Sequence, residues 1–221
     1  MRRLIIAVLG LAIIAGSVLL FALRWQPNVE TYPVQGIDVS HHNGDIIWPT
    51  AAADGVDFAY IKATEGADMH DPSFAQHWTE TERAGVRRGA YHFFTLCRAA
   101  SDQATNFIAN VPRDPKALPA AVDLEFGGNC AARPSRDALL KELTTFITMV
   151  EAHTGKPVIL YLTQEFDDFY NISGTVDRQL WLRSLFLAPG YGARPWVMWQ
   201  ASSFRRVKGM TGRVDWNVVR P

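Results

Sequence analysis

Cysteine is scarce in this chain, with Cys97 and Cys130 the two thiols among 221 residues. There is no C-x-x-C pair and no matching His spacing, so a structural zinc site is excluded and no metal is expected. No cofactor is expected either. An excess of one charge is also missing, since 22 basic residues balance 22 acidic ones. Without a basic block to track a phosphate backbone, a nucleic-acid partner is excluded. Disorder is excluded by composition, with 48% hydrophobic and 20% charged residues. What the chain does have is aromatic surface, in 7 Trp and 6 Tyr. Flat rings suit sugar C–H faces, although most buried Trp serve packing.

One long apolar run stands at the start. Leu4 to Leu23 carries no charge and is long enough to cross a bilayer as a helix. Arg2 and Arg3 precede it, which favours a cytoplasmic N-terminus. A cleaved signal peptide would have a shorter apolar core and a better A-x-A site, so an uncleaved anchor over residues 1–24 is favoured over secretion. Either way the remainder lies outside the cytoplasm, periplasmic or at the cell surface. Setting aside Arg2, Arg3 and Arg24 leaves 19 basic residues against 22 acidic, a net charge of −3. In that oxidising compartment Cys97 and Cys130 are expected to pair. Pro27 and Pro33 mark residues 25–34 as a linker, and 35–221 as one domain, expected to be monomeric.

The chain then alternates strand and helix. Strands are predicted at Gly36–Ser40, Asp57–Thr64, Arg88–Phe94, Leu118–Glu125 and Pro157–Leu162. Helices are predicted at Trp48–Gly55, Ser73–Ala84, Ser101–Val111 (with Ser101 as N-cap) and Ser135–Thr154. That order argues for parallel strands joined by crossovers. Three further strands follow at Gln179–Arg183, Pro195–Gln200 and Gly212–Trp216, with connections too short for full helical crossovers. The expected fold class is therefore α/β, an irregular TIM-like barrel of eight strands and about five helices, (β/α)5(β)3.

The stretch Leu118-Pro-Ala-Ala-Val-Asp-Leu-Glu-Phe126 organises the chemistry. On a strand, Asp123 and Glu125 share one face while Val122 and Leu124 take the other. Active sites of such barrels lie at the C-terminal strand ends. Asp38, Asp123, Glu125 and Asp215 are all expected there, with Tyr91, Tyr161, Trp181 and Trp199 nearby. Acids ringed by aromatics describe a sugar-cleaving cleft, since paired carboxylates are the usual solution to glycoside hydrolysis.

Several stretches together resemble family 25 glycoside hydrolases, the Chalaropsis-type lysozymes, which are N-acetylmuramidases. They are Gly36-Ile-Asp-Val-Ser-His-His-Asn-Gly44 with Trp48, Phe58-Ala-Tyr-Ile-Lys-Ala-Thr-Glu-Gly66, Gly89-Ala-Tyr-His-Phe93, Ala121-Val-Asp-Leu-Glu125, Pro157-Val-Ile-Leu-Tyr161, Trp199-Gln200 and Val214-Asp215. The resemblance spans Gly36 to about Val219 and implies the same barrel. It implies Glu125 as general acid/base, Asp123 as the acid that stabilises the intermediate, and Asp38 and Asp215 in support. It implies Tyr91 and Tyr161 as substrate or transition-state contacts, and Trp181, Trp199, Gln200 and Lys62 are expected to bind substrate beside them. The implied reaction cuts peptidoglycan between N-acetylmuramic acid and N-acetylglucosamine, with retention of configuration. Glu125 is then expected to hold its proton, and Asp123 to stay ionised through hydrogen bonds from neighbouring strands. The chain departs from the family at Arg183-Ser-Leu185, where members often have Ala-Arg-Tyr, and at Ala201, where many have an aromatic residue. The cysteines lie outside the family pattern, but they follow strands three and four, whose loops should adjoin.

Other residues have plainer expected roles. His41 and His42 should line the cleft or bond backbone, and His92 should be a packed strand residue. Lys62 could simply pair with Glu65. Glu165, Asp167 and Asp168 read as a solvated acidic loop. Two other functions share the fold: hydrolysis of another N-acetylglucosamine polymer, and sugar binding without catalysis. Ala121 breaks the chitinase signature, and the presence of both strand acids argues against a binding-only protein.

Overall fold

The computed structural model describes residues 2–221. Met1, the first residue of the expected anchor, lies outside them. The chain begins with helix α1 (Arg2–Arg24), whose apolar window Ile5–Arg24 is not buried against the protein. A barrel follows, built from β1 (Gln35–Val39), β2 (Phe58–Glu65), β4 (Arg87–Phe93), β5 (Ala121–Leu124), β6 (Ile159–Thr163), β7 (Gln179–Arg183), β8 (Met198–Arg205) and β9 (Val214–Val219). The order β1-β9-β8-β7-β6-β5-β4-β2 is closed by pairing of β1 with β2. The barrel has the eight strands expected, and among the described residues a two-residue β3 (Met69–His70) adds only a short extension on the edge of β2.

Pairing is parallel from β1 through β2 and β4 to β8, and antiparallel on both sides of β9. Between β8 and β9 only residues 206–213 intervene, too few for a crossover, so the chain must turn back as a hairpin. Closure leaves the main sheet without exposed edges.

Helices α2 (Trp48–Ala53), α3 (Phe74–Arg83), α4 (Ala100–Asn110), α5 (Arg136–Thr154) and α6 (Gln164–Tyr170) are distributed along the chain between strands. The longest, α5, starts where Ser135 accepts a hydrogen bond from the Ala138 N–H and stops at Gly155 in a left-handed conformation. The N-cap of α4 is Ala99, not Ser101. Its first turn is capped across space, with the Ala100 N–H donating to Glu142 at 2.6 Å.

Period-two alternation sorts strand residues into two cores. Ile37, Ile61, Val122, Leu160, Leu182 and Val218 pack outward toward the helices. Phe58, Tyr60, Ala121, Ile159, Tyr161, Trp181 and Met198 fill the barrel interior. Gly36 and Gly89 make room for this filling, because a Cβ at either position would run into Phe58 or Tyr60. Large rings thus plug the floor, and inward positions nearer the mouth are left for polar groups.

Residues 25–34 run along the domain. Pro27 is buried, and the Gln35 side chain donates to the carbonyls of Pro27 (3.1 Å) and Tyr32 (2.9 Å). Trp25 and Tyr32 pack on the outer face of the barrel. The prolines stiffen a segment that lies against the domain.

Candidate active site

Above the aromatic floor the barrel opens into a cleft of about 780 Å³. Asp38, Asp123, Glu125 and Asp215 all line it, as do Tyr91, Tyr161, Trp181 and Gln200. The placement follows from register. Asp38 is paired with Tyr60 on one side and with Asp215 on the other. Asp123 pairs with Tyr161, and Tyr161 with Trp181. Asp215 comes from the start of β9 and not from a C-terminal strand end, because that strand runs antiparallel.

A hydrogen-bond chain crosses the floor of the cleft. Trp181 Nε1 donates to Asn217 Oδ1 at 2.8 Å, and Asn217 Nδ2 donates to Asp38 Oδ2 at 2.7 Å. Gln200 Nε2 donates to the same Asp38 oxygen at 3.0 Å, while Tyr161 donates its hydroxyl to Gln200 Oε1 at 2.9 Å. Asp38 therefore has two donors aimed at it. Asp123 differs: among the described residues its buried Oδ1 has no partner. Its register partners are Phe93, which has no donor on its side chain, and Tyr161, whose hydroxyl donates to Gln200.

Burial raises the affinity of all four carboxyls for protons. Asp38 is pushed well up by burial and by the charge of Asp215, against the hydrogen bonds from Asn217 and Gln200. Asp123 is pushed well up by burial and by the charge of Glu125, with Lys62 pulling it down. Glu125 is raised by burial, with the Arg183 charge pulling it down. Asp215 is raised by burial and opposed by a hydrogen bond from Ser203 and by Arg183. Like charges gathered in one buried cleft each raise the cost of ionising the others.

Two expected substrate contacts fall elsewhere. Trp199 points out of the barrel, donates to the Ser184 carbonyl and packs near Trp25, Tyr32 and Trp196. Its neighbour Gln200 takes the inward side, as strand alternation requires. Lys62 is buried in a 2.6 Å ion pair with Glu65, and its charge acts on Asp123 and Glu125 without lining the cleft. His41 and His42 form a short 3-10 turn after β1, with His41 bonded to Asp71 at 2.8 Å. His92 is fully buried between Thr64 and Gln103, and burial lowers its pKa to about 3.

The segment 164–170 is helix α6 and not a loop. Asp167 is buried and accepts hydrogen bonds from the Ser173 N–H and hydroxyl, while Glu165 lines the cleft. Apolar Phe166 and Tyr170, spaced one turn apart, hold the helix against the barrel and are the signal that a solvated reading overlooks. Ser203 lines the cleft and Asn217 lies buried beneath it, bonded to Asp38, and neither was singled out from sequence. Asn217 follows Asp215 by two, so it shares its face and was within reach of the same periodicity. Cys97 and Cys130 are disulfide-bonded with Cα atoms 6.4 Å apart, tying the loops after β4 and β5 beside the cleft.

Residues 37–210 match the family model Glycosyl hydrolases family 25. The uncharacterized protein YegX of Escherichia coli K12 is 35% identical over 199 residues, covering 85% of this chain and 70% of that protein. Lysozyme M1 of Streptomyces globisporus is 33% identical over 204 residues, covering 85% and 68% respectively. A solved family 25 glycosyl hydrolase from Bacillus anthracis superposes with a TM-score of 0.78 at 37% identity, over 87% of this chain and 91% of that one. An acid-lined cleft on this barrel, with a family match across most of the domain, places the chain among the glycosyl hydrolases of family 25.

Proposed function

We propose that the protein is a lysozyme that hydrolyses the β-1,4 bond between N-acetylmuramic acid and N-acetylglucosamine in peptidoglycan. Family membership and the lysozymes among its relatives support this reading. The observation that carries it is the pairing of Asp123 and Glu125 at one cleft, with Asp123 Oδ1 buried and unpartnered. An orphaned buried acceptor is costly, so it is suited to a donor that the substrate brings. The N–H of the sugar's acetamido group is such a donor.

Glu125 gives its proton to the glycosidic oxygen as the C1–O bond breaks. The acetamido carbonyl oxygen closes on C1, while the Asp123 carboxylate accepts the hydrogen bond of the N–H and holds the group in line, an interaction that favours its ionised form. Water then adds at C1 and returns a proton to Glu125, consuming one water per bond cut. Two displacements at C1 retain its configuration. Asp38 and Asp215 supply negative potential at the developing positive charge, and Tyr91, Tyr161, Trp181 and Gln200 shape the sugar site. The acting unit is a monomeric domain over 35–221. Residues 1–24 are its membrane anchor, 25–34 join the two, and the cleft lies outside the cytoplasm.

Purified cell walls should lose turbidity on treatment, and the new reducing ends should be muramic acid. Glucosamine ends would indicate another bond. Activity on chitin but not on cell walls would indicate another polymer. Binding without cleavage would leave a sugar-binding protein.

A further inference from the structure

The end of α1 is clamped to the barrel. The Arg206 N–H donates to the Leu23 carbonyl at 2.9 Å, and an Arg205 guanidinium nitrogen donates to the Arg24 carbonyl at 2.9 Å. Immediately beyond, the Trp25 ring meets Phe186 at 5.0 Å. Phe186 stacks on Phe204 at 5.9 Å and holds a left-handed φ of 67°, an uncommon conformation for a bulky residue. The next residue, Leu187, is 76% exposed. An apolar tip is thus displayed beside the point where a membrane-length helix meets the domain.

Charge reinforces the pattern. Residues 202–213 hold Arg205, Arg206, Lys208 and Arg213 and no acid, although the part beyond Arg24 is net acidic. Arg206, Lys208 and Arg213 are exposed, Lys208 in a 3.0 Å ion pair with Asp54 and the other two without a carboxylate partner among the described residues. Aromatic and apolar groups flanked by arginine and lysine at a helix exit are the composition of a bilayer interface, and anionic headgroups attract such cations.

We propose that the 184–188 loop and the 202–213 segment dock on an anionic phospholipid surface, so that the barrel lies against the bilayer. This rests on α1 being a membrane anchor. Ser184, Leu185 and Ser203 belong to the same two segments and line the cleft, so docking sets the cleft mouth next to the headgroups. The enzyme would then act on glycan within a short distance of the membrane.

The test uses the full chain in vesicles. With Cys97 and Cys130 bonded, a Leu187→Cys variant carries a unique thiol for an environment-sensitive fluorophore, and an Ala12→Cys variant reports on α1. Lipids spin-labelled near the acyl-chain ends should quench the label at 12. Lipids spin-labelled near the headgroup should quench the label at 187 in vesicles containing phosphatidylglycerol, and far less in phosphatidylcholine. Arg206→Glu with Lys208→Glu should abolish quenching at 187 and leave that at 12 intact. Quenching at 12 without quenching at 187 overturns the docking alone. No quenching at 12 overturns the anchor and the docking together. Equal quenching at 187 in both vesicles, unmoved by the charge reversals, overturns the anionic-lipid assignment.

Discussion

Asp38 and Asp215 stand directly opposite each other on antiparallel β1 and β9. Like charges at such a cross-strand position are destabilising by up to about 1 kcal/mol. Burial compounds the cost, and it is the largest cause of the raised proton affinity of both. A carboxyl with a raised folded-state pKa takes up a proton on folding. Its contribution to stability is full below the unfolded value near 4 and is lost as pH rises through the folded one. Asp215→Asn should therefore raise the thermal midpoint at pH 7 by about 2–4 °C, with little change near pH 3. Calorimetry at the two pH values checks this, and a midpoint lowered at pH 7 would count against the pair as a source of strain.

Glu125→Gln should cut turnover on cell walls by about 10²–10⁴-fold and leave the folded spectrum intact. Asp123→Asn should also lose turnover, because an amide keeps an acceptor but cannot become an anion. Steady-state rates on purified walls separate these from misfolding if circular dichroism is recorded on the same samples. Unchanged turnover in Glu125→Gln would remove it from the role of acid.

Arg183 is the one cation lining the cleft among the described residues, and it pulls down the proton affinity of Glu125 and Asp215. The hydroxyl of Tyr191 ties β7 to β6 by accepting from the Arg183 N–H at 2.9 Å and donating to the Leu162 carbonyl at 2.7 Å. Arg183→Gln should let the pKa of Glu125 rise. An acid that must be protonated then works to higher pH, so the alkaline limb of kcat/KM should move upward. A limb that stays in place or moves to lower pH would show that Arg183 does not tune Glu125.

The Cys97–Cys130 bridge spans a sequence separation of 33 residues. Loop closure of that size stabilises by roughly 3–4 kcal/mol. Replacing both with Ser should lower the thermal midpoint by on the order of 10 °C. Because the bridge ties rim loops and touches no cleft acid, activity at low temperature should largely survive. Scanning calorimetry with a parallel turbidity assay measures both.

Much of this was legible because two simple periods govern it. Alternation put Asp123 and Glu125 on one side, and β7 appears at the residues read as strand, 179–183. The same rule, applied to Trp199 and Gln200, forbids both from facing inward, and Trp199 indeed faces out. Adjacency in a motif says nothing about shared direction. The reversal of β9 was implied by the short 206–213 connection, but strand direction depends on neighbours that sequence alone does not supply. The orphaned Asp123 oxygen could not be read at all, since it depends on which donors their other partners leave free. Glu165 was obscured by its acidic neighbours, although the apolar spacing of Phe166 and Tyr170 marks a helix.

The reversed final strand has an evolutionary corollary. Acids on parallel strands sit before the loops that follow them, so those loops can lengthen without moving the acid. Asp215 sits after its loop, only two positions beyond Arg213. A residue inserted in 206–213 would reset the phase of the strand and could turn the carboxyl away from the cavity. That hairpin should accordingly tolerate exchange of side chains far better than change of length.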